Sequence, residues 1–363
     1  MVTVILSAAV AALLAGVLAA WVFGRHRSRG SRPAGRDWAS VPEASAELAA
    51  ARPQMDPALL PEMRQRFLRA ALGVEDTAVA AGVAAEHQQV VDAVLVALER
   101  ADLSQRYIPR RPNLLPQLIQ SVNDSTASAR SISRIIGSDP GLAVNLLRIA
   151  NSSLYRFQQQ EVRSIERAVT LVGNEGIRQI ISAALVQPVM NPPEQDGGRF
   201  SQRLWDYTLR MSLATADHAR GVEREDGFSA QLAGLLRGLG MVIVVKATAE
   251  AYSRKQTLAP SPEVLLSLLA RCTPSLSARI ARQWELPADV AAALEGQPVA
   301  PRAKALARSL EMGELAAALS MLCREQRMES EQAVQLLSEC LPGHVAEWLW
   351  KRVSPDDPQD ESP

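Results

Sequence analysis

Histidine, lysine and cysteine are all scarce in this sequence, and each scarcity removes a class of chemistry. The histidines are His26, His87, His218 and His344, too scattered to form a histidine-rich metal cluster. The cysteines are Cys272, Cys323 and Cys340. They form no CxxC pair and no Cys/His cluster, so neither a disulfide framework nor a zinc site is expected. Lys246, Lys255, Lys304 and Lys351 are the only lysines, and arginine supplies the rest of the 39 basic residues. With 39 acidic residues the formal net charge is zero, which withholds the electrostatic footprint of a nucleic-acid-binding protein. Aromatic residues make up 4%; alanine and leucine dominate, which favours helix over sheet.

Where charge is locally absent, at Val2–Phe23, the sequence has its longest apolar run, with Gly16 its single glycine. As a helix rising about 1.5 Å per residue it is roughly 33 Å long, close to the roughly 30 Å of a bilayer core. Trp21 and Phe23 stand at the end where interfacial aromatics are expected. Arg25, His26, Arg27, Arg29, Arg32 and Arg36 follow before the first acid, Asp37, and the positive-inside rule then puts the rest of the chain on the cytoplasmic side. A cleaved signal peptide would need a basic n-region and a shorter apolar stretch, and has neither here. The expectation is a single-pass inner-membrane anchor over 1–24, followed by a basic, flexible tether over 25–56.

Beyond the tether the spacing predicts helices throughout. Asp56-Pro57 opens one and Gly73 closes it, with Leu59, Leu60, Met63, Phe67 and Leu68 on one face. A second is predicted from Glu75 to Ala101, using Val83, Val90, Val91, Val94, Leu95 and Leu98. Together they are expected to make a helical hairpin or stalk over 57–109. From Asn113 short helices follow in series. Asp139 is an N-cap candidate and Pro140 suits the first helical position. Leu142, Leu146, Leu147 and Ile149 give that helix a buried face, and Asn151-Ser152-Ser153 end it. Ser164 caps the next helix, Gly173 closes it and Asn174 caps another. Longer helices are predicted at Phe200–Arg220 and Phe228–Ala247. The latter has the composition of a buried core helix, because Leu239–Val245 is too short to span a membrane. Others are predicted at Pro262–Arg271, Ser275–Glu285, Ala288–Leu294, Arg302–Cys323, Ser330–Glu339 and Gly343–Lys351. The acidic, proline-rich tail at 354–363 is expected to be disordered.

Three groups of residues carry a resemblance. They are Leu115-Pro116 through Ile136-Gly137-Ser138-Asp139-Pro140, then Leu146-Leu147-Arg148-Ile149-Ala150-Asn151-Ser152, then Ser164-Ile165-Glu166-Arg167-Ala168-Val169 with Leu171-Val172-Gly173. In order, spacing and chemistry they resemble the core of bacterial HDOD domains, over roughly 110–300. The resemblance implies an all-α, multi-helix, HD-related bundle. It also implies a regulatory role in bacterial signalling, since these domains are related to HD phosphohydrolases but commonly lack their catalytic residues. On this reading 301–353 is a C-terminal helical extension outside the resemblance.

HD phosphohydrolases hold metal through histidines and an adjacent His-Asp pair, and the metal activates water against phosphate. Here Thr208, in Leu204-Trp205-Asp206-Tyr207-Thr208, stands where the resemblance would put the first histidine. Arg237 and Gly238, after Phe228–Leu236, stand in place of the His-Asp pair. The segment after Trp284-Glu285-Leu286-Pro287 ends Leu294-Glu295-Gly296-Gln297 without a histidine. The expectation is therefore no enzyme, no metal and no cofactor, with Thr208, Arg237 and Gly238 lining a vestigial pocket. Arg237 has two readings: a guanidinium offered to a phosphate or carboxylate, or a cation neutralised by Glu225 or Asp226. Asp139, Pro140, Asn151 and Ser152 occupy the family motif, and capping accounts for them without a catalytic role. His218, beside Asp217, reads as a structural or surface residue, since neighbours in a helix do not face one another.

The leading functional expectation is a membrane-tethered, non-catalytic signalling module acting through contacts with other signalling proteins. The alternative is a sensor that binds a nucleotide or another phosphate compound in the vestigial pocket without hydrolysis. No nucleic-acid partner is expected: the turn at Gly173-Asn174 has only a helix-turn-helix outline, with Arg178 its single basic group.

Overall fold

The computed structural model describes residues 55–74, 83–99, 136, 140–151, 162–165, 167–168, 199–255 and 257–354, all within the compact unit Ser40–Pro363. The expected membrane anchor, nearly all of the tether, the acidic tail after Ser354, and Asp139, Ser152, Gly173 and Asn174 lie outside the described residues. Within them the elements are helical and no strand occurs.

Asp56 accepts a hydrogen bond from the Ala58 amide at 2.9 Å, and α1 runs Leu59–Ala71 before Gly73 takes φ 73°. Leu59, Leu60, Met63, Phe67 and Leu68 form its buried stripe, as the three-to-four-residue spacing requires. The second helix is shorter than predicted. Ala84 is extended (φ −64°, ψ 146°), a 3-10 turn spans Ala85–His87, and only then does α2, Gln88–Glu99, begin, burying Val90, Val91, Val94 and Leu98. Of the hairpin or stalk expected over 57–109 only these two helices are described: α1 packs on the later helices Arg199–His218 and Pro301–Arg324, and α2 on Gly227–Ser253 and Pro262–Gln283.

Pro140 is the first residue of α3, Pro140–Ala150, as its missing amide hydrogen favours. Leu146 is completely buried and Val144 exposed. At the helix end the Asn151 side-chain amide donates to the Leu147 carbonyl (2.9 Å) and to the Val162 carbonyl (2.8 Å). Its oxygen accepts from the Val162 amide at 2.8 Å. Ser164 accepts from the Arg167 amide at 3.2 Å, the cap expected of it.

The centre of the molecule is built by α4 (Arg199–His218), α5 (Gly227–Ser253), α6 (Pro262–Gln283), α7 (Ala288–Glu295) and α8 (Pro301–Arg324). Between α4 and α5 a π turn, Ala219–Glu223, ends at Arg224 with φ 60°. Asp226 then caps α5 by accepting from the Phe228 and Ser229 amides. Both α5 and α6 are long and apolar enough to cross a membrane, yet the apolar stretch of α5 is 94% buried by its neighbours, in keeping with the core helix expected of it. The two helices predicted either side of Pro274 are one. Pro274 cannot donate to the Ala270 carbonyl, but α6 is flanked by α5 and α7. Within it Ser277 Oγ donates to the Thr273 carbonyl (2.8 Å) and Ser275 Oγ to that of Cys272 (3.2 Å).

Residues 301–353 are not an appendage. The helix α8 packs along α4, α1 and α7, and α9 (Ser330–Cys340) and α10 (Gly343–Val353) close over it. Buried Arg352 of α10 forms a two-point ion pair with buried Asp217 of α4, Nε–Oδ2 at 2.8 Å and Nη2–Oδ1 at 3.3 Å. Arg210 of α4 donates to the Val353 carbonyl and to Ser320 Oγ, satisfying the end of α10.

Candidate functional site

Thr208, Ser212 and Thr215 stand along α4, and each hydroxyl is turned back onto its own helix. They donate to the carbonyls of Leu204, Leu209 and Met211 at 2.7, 2.9 and 2.7 Å. With their polar groups satisfied internally, these small residues present a thin face, which α5 approaches closely at Thr208 and Ser212 and α8 at Thr215, each time with glycine opposite. A Cβ at Gly234 would stand 2.6 Å from Ser212 Cα, and one at Gly238 would stand 2.7 Å from Thr208 Cβ and overlap the rest of that side chain. Real side chains do not reach such distances, so both positions require glycine.

The two expected pocket residues Thr208 and Gly238 therefore meet, but as a helix contact with no room between them. Thr208 is fully buried with its hydroxyl committed. Gly238 offers no donor atom, and Arg237 brings a positive charge. This set does not fit a divalent cation. Among the described residues no group of three His, Cys, Asp or Glu side chains converges.

Arg237 leaves α5 in another direction, toward α8 and α1. Neither partner weighed for it applies: Glu225 is 3.4 Å from Arg302 Nε, and Asp226 caps α5 about three turns away. Arg237 is 8% exposed. Its Nη2 donates to the Leu294 carbonyl at 3.1 Å, and its buried Nε has no hydrogen-bond partner. Close to it lies a buried ionic cluster that sequence reasoning missed. Glu314 of α8, 3% exposed, accepts from Arg64 Nη1 of α1 at 3.0 Å and from the Tyr207 hydroxyl of α4 at 3.4 Å. Tyr207 itself stacks on Phe67 with ring centroids 4.5 Å apart. Both ions carried a signal. Arg64 is four residues from Leu60 and from Leu68 and so falls on the apolar stripe of α1. Glu314 directly precedes the apolar run Leu315–Leu322.

The electrostatics follow from burial. Desolvation pushes the Glu314 carboxyl up, but Arg64, Arg237 and the two hydrogen bonds together hold it below the usual carboxylate range. Burial, then Glu314, raises the Tyr207 phenol well above its ordinary value. Burial lowers the proton affinity of Arg237, opposed by Glu314.

Arg64, Arg237 and Glu314 border a cavity of about 330 Å3 between α1, α5, α6 and α8. Arg64, Arg69 and Arg237 face Glu263 and Glu314 across it, leaving one positive charge in excess. Arg69 Nη2 lies 3.9 Å from Glu263. Arg69 Nη1 and Thr273 Oγ1, like Arg237 Nε, are buried without a hydrogen-bond partner. Exposed Gln65 of α1 and exposed Ser267 and Ala270 of α6 belong to the rim. Of the family-motif residues, Pro140 and Asn151 act at the two ends of α3, apart from this cavity's lining. His218 is buried, with Nδ1 3.1 Å from Ser309 Oγ, which makes it an interior residue.

The HDOD domain family model matches residues 108–298, more than half of the chain, and the chain belongs to the HDOD family. The cavity lies partly outside that span, since α1 precedes it and α8 follows it. A protein of Treponema pallidum (strain Nichols), itself uncharacterized, is 23% identical over 193 residues, covering 50% of this chain and 36% of that protein. Among solved structures, an HDOD domain protein of unknown function from Geobacter sulfurreducens is 14% identical. The alignment covers 74% of this chain and 88% of that one with a TM-score of 0.48. A protein from Shewanella amazonensis SB2B, named as a candidate metal-dependent phosphohydrolase, is 18% identical, with 77% and 95% covered and a TM-score of 0.46. At such identities and scores no activity carries over from either.

Proposed function

We propose that this chain is a regulatory HDOD protein that signals through protein contacts, is tethered to the inner face of the bacterial membrane by Val2–Phe23, and does not hydrolyse phosphate esters. The observation that carries the non-catalytic part is the contact of Thr208 with Gly238. The positions that would present metal ligands are spent on bringing α4 and α5 together, and Arg237, the residue before Gly238, is a cation that cannot serve as a ligand for a dication. Family membership supports the regulatory part, and the charge-free run followed by arginines supports the tether.

The test is made on the purified full-length chain. Elemental analysis is expected to find no stoichiometric iron, manganese or zinc, and cyclic dinucleotides and nucleoside monophosphates are expected to survive incubation. About one metal ion per chain, with turnover lost in His218→Ala, overturns the reading. Affinity isolation from membranes is expected to bring down a signalling protein that a tether-only fragment does not retain.

A further inference from the structure

The cavity between α1, α5, α6 and α8 is the strongest unassigned feature of the molecule. Its volume of about 330 Å3 lies at the lower end of small-molecule pockets, roughly 300–1,000 Å3. Three of the residues that line it carry a buried side-chain atom with no hydrogen-bond partner: Arg237 Nε, Arg69 Nη1 and Thr273 Oγ1. Such groups are costly to leave unpaired, and here donors predominate: both guanidinium atoms can only donate. The acids already have partners, Glu314 in Arg64 and Tyr207, Glu263 in Arg69. Arg237 has no carboxylate within 4.0 Å among the described residues and is the lining cation without an ion-pair partner, with Glu314 and Glu311 opposing its charge only from farther off. Leu68, Met241, Leu266 and Leu269 supply the apolar part of the lining.

We propose that this cavity is a binding site for a small organic anion, with its anionic head on the Arg237 guanidinium and its apolar body against α6. The shared chemistry is one carboxylate or phosphate on a compact apolar frame. An anion is favoured over a neutral ligand because it alone can use the surplus charge and the orphaned donors together. It is favoured over a free inorganic ion because the remaining volume is walled by aliphatic side chains. The site goes beyond the protein-contact reading and does not depend on it. Since α1 forms one wall, an occupant would touch the segment that joins the body to the N-terminal part of the chain.

The test uses the full-length chain in a non-ionic detergent, with phenyl phosphate, benzoate, benzyl alcohol and inorganic phosphate as probes in titration calorimetry and thermal denaturation. Phenyl phosphate and benzoate are expected to bind at one site and to raise the melting temperature with concentration; their relative affinity tells a phosphate from a carboxylate site. Arg237→Gln is expected to weaken both by about tenfold or more. Ala270→Trp, a rim substitution on an exposed position, is expected to block the cavity while leaving the fold intact, and it keeps the test decisive if Arg237→Gln fails to fold. Equal binding of benzyl alcohol, equal binding of inorganic phosphate, affinities unchanged in both variants, or no binding of any probe would each overturn the proposal.

Discussion

Thr208 and Gly238 face each other where α4 crosses α5, so closely that a Cβ on residue 238 would lie 2.7 Å from Thr208 Cβ and overlap the rest of that side chain. The same approach recurs one turn along at Ser212 and Gly234. Gly238→Ala is accordingly expected to destabilise the protein by about 1–3 kcal/mol through overpacking. The double variant with Thr208→Ala should recover part of that loss, so the two substitutions are non-additive. Chemical denaturation of the four proteins measures the coupling; strictly additive effects would mean that the helices do not meet here.

Glu314 is paired with Arg64 and Tyr207 inside the core, and the Glu314→Gln variant leaves Arg64 without its counter-charge and removes the longer-range opposition to Arg237. Loss of one member of a buried pair costs about 3–5 kcal/mol; Arg64, being partly exposed, should bring the cost to the lower end of that range.

The pH dependence of stability carries a signature of the same cluster. The folded-state pKa of Glu314 is depressed, so its contribution is fully present above the ordinary carboxylate value, roughly 4.3, and is lost as pH falls through the depressed one. Glu311, one turn earlier on α8, is shifted upward by desolvation and then by Glu314, and works in the opposite sense. The informative quantity is therefore the difference between wild type and Glu314→Gln, which is expected to shrink as pH falls below about 4. On the alkaline side Tyr207, raised well above its usual value, contributes stability below about pH 10 that is lost above it. Tyr207→Phe should flatten that limb.

Asn151 joins the end of α3 to Val162 through both ends of its side-chain amide. Asn151→Ala should cost about 1–3 kcal/mol, because it strands the backbone groups of Val162. Leu146→Ala, at a fully buried site, should cost about 2–5 kcal/mol. An unfolding midpoint unchanged in Asn151→Ala would mean that water replaces the clasp without loss.

The proposed tether predicts a topology. A reporter active only in the periplasm, fused to the C-terminus, should be silent, and the same reporter active only in the cytoplasm should work. A mature chain beginning near residue 25 would show cleavage instead of anchoring.

Much of the helical layout was legible in the sequence because it depends on neighbours along the chain. The stripe of Leu60, Met63 and Phe67, the Pro140 start, the Ser164 cap and the apolar core helix from Phe228 are all local signals. The HDOD family was legible for the same reason, since Pro140, Asn151 and Ser164 of its motifs lie at helix ends where capping restricts residue choice. The substitutions at Thr208, Arg237 and Gly238 were legible as departures from a pattern, but not their consequences.

Pro274 shows where local reasoning failed. By itself it ends a helix, yet packing of α6 between α5 and α7 outweighs one lost hydrogen bond. What covers α1 and α2 was equally beyond local reasoning, because an amphipathic stripe says that a helix is covered and not by what. The surroundings of Arg237 could not be found in sequence either. Glu225 and Asp226 are close along the chain, whereas Glu314 and Arg64 reach its neighbourhood only once α8 and α1 have packed on α4. Sequence determined the helices, their ends and their apolar faces, since these rest on propensity, capping and periodicity within a few turns. Tertiary structure alone decided which ions share the buried cluster, where the cavity opens and that Gly238 closes on Thr208, since each depends on groups far apart in the chain brought within a few ångströms.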